Sequence, residues 1–263
     1  MRIALAAVVF AAQAVGQVGP FGVPFDKKGK IEVRGKTFEL EGGSQLIADN
    51  QDVLYESCII RPKAGLGTIR VAGKVRFRGC LLQFLPGLAH LGFMAEGNGS
   101  IVFESCVIGG AVQCTTSRDY MKGGTSRGTI LFDRCRFEGA NLEKLMGVDD
   151  TCSINLGGGG ISFRSCDFNQ VSSIEAVGTA GPVVLPDSKK KADEVVIDAK
   201  NCWWNNADEA GVRAKIKDRT TGHTTTMGEK VNARVVFIPM AKEPFTTKLK
   251  PSEEKKDAAP EKK

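Results

Sequence analysis

One eight-residue pattern recurs along this chain and limits its possible folds more than any other feature. Its anchor residues are Val53/Tyr55/Cys58/Ile60, Val75/Phe77/Cys80/Leu82, Ile101/Phe103/Cys106/Ile108, Ile130/Phe132/Cys135/Phe137 and Ile161/Phe163/Cys166/Phe168. A looser sixth copy joins Val195 and Ile197 to Cys202, Trp203 and Trp204, with two extra residues between strand and cysteine. In each copy the first and third residues are apolar and share one face of an extended strand. The fourth faces water: Glu56, Arg78, Glu104, Asp133 or Arg164, with Asp198 in the sixth copy. The sixth and eighth positions are again apolar or Cys. Three residues separate the third position from the sixth, so the alternation slips by one at the same place every time. A straight strand cannot keep both halves inside. A strand, a sharp bend and a second short strand can, if the chain turns a corner around a common interior.

The repeat fits no helix, because these Phe-rich and β-branched segments lack apolar residues at three-and-four spacing. Successive cysteines lie 22, 26, 29, 31 and 36 residues apart. The smallest step is about one turn of a β-solenoid, and the excess belongs in loops. Gly73, Gly99, Gly128 and Gly160 precede strands and mark another turn. Composition agrees: 31 Gly among 263 residues, and 14 Phe against two Tyr and two Trp, describe many turns around a Phe-filled interior. Six or seven coils at about 4.8 Å each predict a rod on the order of 30 Å long. The segment Lys30–Leu40 alternates and supplies an opening strand or cap.

This repeat resembles the right-handed parallel β-helix proteins of bacterial secretion. Asn201, Trp203 and Trp204 look like the Asn-x-Trp-Trp-Gly signature that often closes such domains, with Asn205 where the family usually has Gly. The likeness runs on through a short amphipathic helix candidate from Gly211 to Asp218, a Thr-rich loop from Thr220 to Thr226, and a last strand from Val235 to Pro239. It covers about Val53 to Pro244. The resemblance implies an all-β, right-handed, single-stranded parallel β-helix with a short helix near its C-terminal end.

Arg2, the apolar run from Ile3 to Val15 and the small residues Ala12, Ala14 and Gly16 form a signal-peptide pattern over 1–16. The run is too short to span a bilayer. A linker covers 17–30, the solenoid 31–247 with its closing segment 201–247, and a Lys/Glu/Pro/Ala tail 248–263. The expected location is secreted or periplasmic, without stable membrane insertion. Net charge is +6 with both signs interspersed, which argues against a nucleic-acid partner. The chain is expected to be a monomer.

Eight Cys in an exported chain suggest disulfides. Cys58, Cys80, Cys106, Cys135, Cys166 and Cys202, however, share one inward position and should form a column. Buried Cys acts as a small hydrophobe, so an unpaired ladder is favoured over crosslinked pairs. Cα atoms one coil apart are within disulfide range, but parallel side chains fit the required torsion poorly. Cys114 and Cys152 lie outside the column, in irregular stretches, and are the candidates for one bridge. No metal is expected: His90 and His223 are the only histidines and no paired C-x-x-C spacing occurs.

Many proteins of this resemblance are lyases, hydrolases or epimerases of acidic polysaccharides. Their epimerase-type Asp-Pro-His-Glu and hydrolase-type Gly-His-Gly elements are absent, and Gly222-His223-Thr224 stops one residue short. The remaining candidates are Asp149 and Asp150 in one long insertion and Arg118, Asp119 and Lys122 in the other. Glycoside hydrolysis needs two opposed carboxyl groups, and calcium needs roughly six to eight oxygens, which no dense Asp or Asn array supplies. No catalytic residue and no cofactor is therefore assigned. The expectation is a non-catalytic exported module, structural or glycan-binding through Arg118, Asp119, Lys122, Asp149 and Asp150, with a cell-surface or extracellular polysaccharide as partner. The alternative is a lyase or hydrolase of an acidic glycan using the same loops.

Overall fold

The structure, a computed structural model, describes residues 30–40, 43–47, 52–62, 67–83, 91–116, 128–139, 152–178, 194–224, 228 and 230–245. Each coil places one strand on each of three faces. The first coil is β1 (Lys30–Arg34), β2 (Thr37–Leu40) and β3 (Gly43–Ile47). The second is β4 (Asp52–Glu56), β5 (Ile59–Pro62) and β6 (Gly67–Val71), and the third β7 (Lys74–Arg78), β8 (Leu81–Gln83) and β9 (Leu91–Ala95). The fourth is β10 (Ser100–Glu104), β11 (Val107–Gly109) and β12 (Ala111–Thr116). The fifth is β13 (Thr129–Asp133), β14 (Arg136–Glu138) and β15 (Cys152–Gly157), and the sixth β16 (Ile161–Arg164), β17 (Asp167–Phe168) and β18 (Val171–Gly178). The seventh has β19 (Val195–Asp198), a bridge at Trp203, the helix α1 (Glu209–Lys215) and β20 (Ile216–Lys217). An eighth opens with β21 (Ala233–Val236). All pairings between these strands are parallel, each with the strand one coil away, in sheets of eight, six and seven strands. This is a parallel β-helix, as the repeat predicted.

The slip in alternation is a single left-handed residue. Gly35, Ser57, Gly79, Ser105, Arg134, Ser165 and Asn201, the residues just before the column position, have φ of 60°, 53°, 57°, 52°, 53°, 52° and 55°. That conformation turns the chain from the first sheet to the second and brings the sixth position back inside. Non-Gly residues adopt it at a cost of roughly 1–2 kcal/mol. What offsets this is stacking: Ser57, Ser105 and Arg134 each donate their N–H to a carbonyl of the next coil, at 2.9, 2.9 and 2.8 Å.

The corner also revises where the repeat begins and ends. In coil one, Gly35 is the corner and Lys36 takes the Cys position, its carbonyl accepting from Ile59 N–H at 2.9 Å. Lys30–Leu40 is thus a full copy. In coil seven Asp198 pairs with Ser162, so Ile197, Ala199 and Lys200 are the first, third and fourth positions. The sixth copy carries no extra residues, and Asp198 is not its fourth position. The eighth copy is Val235, Phe237 and Met240, since Ala241 N–H bonds Cys202 O at 2.9 Å in the seventh-position pattern.

The interior is built of files. Tyr55, Phe77, Phe103, Phe132 and Phe163 stack at 4.7–5.2 Å with ring planes within 14°. Each such contact is worth about 0.5–1.5 kcal/mol beyond burial. The file breaks at Ala199. Trp204, at the eighth position of that copy, packs on Phe168 at 4.3 Å with its ring tilted by 33° and meets Phe237 at 6.1 Å, filling the space the small side chain leaves.

Closure at the C-terminal end uses polar groups. The helix spans Glu209–Lys215 rather than beginning at Gly211, because Asp208 caps it by accepting from Gly211 N–H at 2.7 Å. Its expected continuation is strand, Ile216–Lys217. Asp218 then enters the interior with no exposure. Its Oδ1 accepts from Thr220 N–H at 2.8 Å and Thr220 Oγ1 at 2.6 Å, and its Oδ2 from Val235 N–H at 2.8 Å. Arg213 lies 3.5 Å from Oδ2 and 4.7 Å above the Phe237 ring. An edge strand that would otherwise present unpaired N–H groups is thereby covered. The chain past Ala241 then folds back until Phe245 N–H reaches Asp167 Oδ1 at 2.7 Å.

Candidate functional site

Arg118, Asp119, Lys122, Asp149 and Asp150 lie outside the described residues, as do the signal-peptide pattern, the linker through residue 29 and the tail 248–263. The points where their two insertions leave the solenoid are described. One departs after Thr116, the end of β12, and the other enters at Cys152, the start of β15. Ala111 pairs with Ser153 and Thr115 with Gly157, so the two attachment points lie at opposite ends of adjacent strands. About 20 Å of third-sheet surface separates them.

That surface is polar along its middle. Gln113, Asn155, Glu175 and Lys217 pair in register on successive coils, each between two inward-facing neighbours. Gln113, Asn155 and Lys217 are exposed and Glu175 is half-buried. His223 Nε2 lies 3.0 Å from Glu175 Oε1. Alongside runs a second row of Arg70, Met94 and Thr115, with Arg70 Nε donating to Glu96 at 2.8 Å. Amide, carboxylate and ammonium groups thus recur about every 4.8 Å along the axis, a spacing set by the coils. Such a row can offer donors and acceptors to an extended polar chain. Insertions of unequal length hide this alignment in the sequence; its trace is the recurring apolar–polar–apolar triplet at Val112–Cys114, Ile154–Leu156 and Ile174–Ala176, with Ile216–Asp218 departing from it at Asp218.

The first sheet carries a different pattern. Arg34 and Glu56 lie 3.0 Å apart, Glu56 and Arg78 3.6 Å, Arg78 and Glu104 3.0 Å. Arg164 grips Asp133 with two bonds of 2.8 Å. Fourth-position charges thus pair across coils where neighbouring signs are opposite, while Glu104 and Asp133, in register on adjacent coils, carry the same sign. The pairs among Arg34, Glu56, Arg78 and Glu104 are open to solvent on their arginine side and add little individually, whereas Asp133 is buried rather than facing water. The Arg164 fork, aided by Arg134, holds the Asp133 carboxyl below the usual carboxylate range. Asp167 differs: burial pushes its carboxyl up, against the Phe245 N–H it accepts. It is 3% exposed and belongs to the second sheet, away from the polar row.

The column cysteines are all free and at most 1% exposed. Cys80, Cys106, Cys135 and Cys166 donate their S–H to Tyr55, Phe77, Phe103 and Phe132 carbonyls at 3.3–3.4 Å, and Cys58 to Val33 at 3.5 Å. Cys114 and Cys152 require a correction. They occupy strands of the third sheet, not irregular loops, and both are free and fully buried. Cys114 pairs with Leu156, four residues along β15 from Cys152, which puts about 13 Å of strand between the two positions. A disulfide cannot span that. Burial pushes both thiols up, Cys152 to about 12.

Among the described residues no three His, Cys, Asp or Glu side chains converge to hold a metal ion, and no helix is long and apolar enough to cross a membrane. No family model, no curated protein and no solved structure matches this chain.

Proposed function

We propose that this chain is an exported, monomeric, non-catalytic solenoid that binds a glycan lengthwise along the outer face of its third sheet. The observation that supports this reading is the register of Gln113, Asn155, Glu175 and Lys217 between two insertion points. A glycan strand presents hydroxyls at intervals comparable to the coil spacing, and partly exposed amide and charged groups are suited to hydrogen-bond them. The insertions carrying Arg118, Asp119, Lys122, Asp149 and Asp150 attach at both edges of this face. Carboxylates nearby are engaged in the fold: Glu175 with His223, and Glu96 with Arg70. Groups so committed orient a ligand better than they shuttle protons.

The test is a glycan array followed by titration calorimetry on the best ligand, using wild type and the double variant Gln113→Ala/Asn155→Ala. Both positions are exposed, so the coil stacking is preserved. At least a ten-fold loss of affinity is expected. Undiminished binding overturns the third-sheet assignment. Release of unsaturated products or new reducing ends from a uronate-rich glycan, abolished by Asp149→Ala or Arg118→Ala, overturns the non-catalytic reading in favour of a lyase or hydrolase.

A further inference from the structure

The sulfur column combines two properties that pull in opposite directions. Its backbone geometry suits disulfides: residues following Cys80, Cys106, Cys135 and Cys166 donate N–H to the carbonyls of Cys58, Cys80, Cys106 and Cys135 at 2.8–3.0 Å, so consecutive column cysteines sit on adjacent bonded coils. Their Cα atoms are therefore about 4.8 Å apart, within the range a disulfide spans. The side chains do not suit it. Equivalent positions point their sulfurs the same way, and Cys58 to Cys166 each donate S–H to the coil beneath. With at most 1% exposure, no oxidant reaches them. Both obstacles depend on the closed corner and vanish together when it opens.

We propose that the column is a conformation-gated crosslinking site whose reactant is a small-molecule disulfide. While the coils are closed the thiols are inert. When a corner opens, one freed cysteine, as thiolate, attacks the disulfide and expels one thiol. The cysteine of the neighbouring coil then displaces the second thiol. Two Cys thiols and one disulfide become one Cys–Cys bond and two small thiols, the two electrons passing from the protein sulfurs to the reagent. Each bridge ties one coil to the next and records where the solenoid opened.

The column also has a direction of failure. Lys36 and Met240 replace Cys at its two ends, and solenoids open from their ends inward. Cys202 is held least, its S–H meeting Lys200 O at 3.7 Å, the longest of the column's thiol contacts. The pair Cys166–Cys202 should therefore join first, Cys58–Cys80 next and Cys106–Cys135 last.

The experiment incubates the full chain with oxidised glutathione, with and without urea below the unfolding midpoint, and maps bridges by differential alkylation and mass spectrometry. Without urea, less than one thiol per chain is expected to react over hours. With urea, Cys166–Cys202 is expected to accumulate at least ten-fold faster than Cys106–Cys135. Asp218→Asn, which weakens the C-terminal closure, is expected to accelerate Cys166–Cys202 and leave Cys58–Cys80 unchanged. Rapid oxidation of the closed chain, equal rates for central and terminal pairs, or bridges between non-successive coils would overturn the proposal.

Discussion

The corner between the first and second sheets and the two edges of the third sheet obey different rules. Between the third and sixth positions the chain has two residues in every coil, the second of them left-handed from Gly35 to Asn201. Around the third sheet, length varies freely. The passage from second to third sheet is Gly110 alone in coil four and residues 139–151 in coil five. The passage from third to first is residues 72–73 after β6 and residues 117–128 after β12. The corner is locked because its N–H groups bond the next coil and the strands on both sides share one core. An edge loop need only return to its starting height. The solenoid therefore keeps its corner uniform and concentrates variation in length around the third sheet.

The largest expected effect comes from one residue inserted between Arg134 and Cys135. It would turn Cys135 and Phe137 outward, since a one-residue slip reverses every side chain beyond it. Loss of cooperative unfolding in urea is the expected result, and a native-like transition would refute the locked corner. Next is Phe132→Ala, which removes a ring stacked on both Phe103 and Phe163. A loss of about 3–5 kcal/mol is expected from denaturant curves.

Single corner residues give smaller changes of opposite sign. Gly79→Ala places a side chain at φ 57° and should destabilise by about 1 kcal/mol, while Ser57→Gly, at φ 53°, should stabilise by about 0.5–1 kcal/mol. Two changes in the same direction would show that corner strain is not the controlling factor. Acid separates two carboxylates in the same manner. Asp133, held below its ordinary value of 3.8, contributes stability that is complete above that value and lost as pH falls through the lowered one. Asp167, held above 3.8, carries a penalty that is complete above its raised value and disappears as pH falls below 3.8. Asp133→Asn should thus lower stability at pH 7 and flatten the acid decline. Asp167→Asn, whose Oδ1 still accepts from Phe245, should raise stability at pH 7 and converge with wild type near pH 3. Melting curves across pH 3–7 decide both. Smallest of all should be five Gly/Ser residues added within 140–151: under about 0.6 kcal/mol by loop-closure entropy, a contrast with the single insertion at the corner.

Much of this architecture could be read before any coordinates. The slip between third and sixth positions required a corner, and a corner repeated at cysteine required a column. What escaped did so for local reasons. Lys36 and Met240 disguised the first and last copies by standing where the pattern expects sulfur. Ala199, lacking a ring, let Val195 and Ile197 pass for the first and third positions of coil seven. Cys114 and Cys152 passed for loop residues because long insertions adjoin their strands. The polar row of Gln113, Asn155, Glu175 and Lys217 left only short apolar–polar–apolar triplets as its trace, and no constant spacing relates its members.

The winding is written in the local pattern: alternation with a fixed slip admits one way to keep Val, Phe and Cys dry, since apolar burial and backbone pairing act on every coil alike. Which residues of different coils meet is settled by the stacking of the coils. Register places Asn155 beside Gln113, aims the Asp218 carboxylate at the Val235 N–H, and separates Cys114 from Cys152. Those meetings depend on how many residues each loop takes to come round. Because a loop of almost any length can return to the stack at small entropic cost, local pattern carries no record of them.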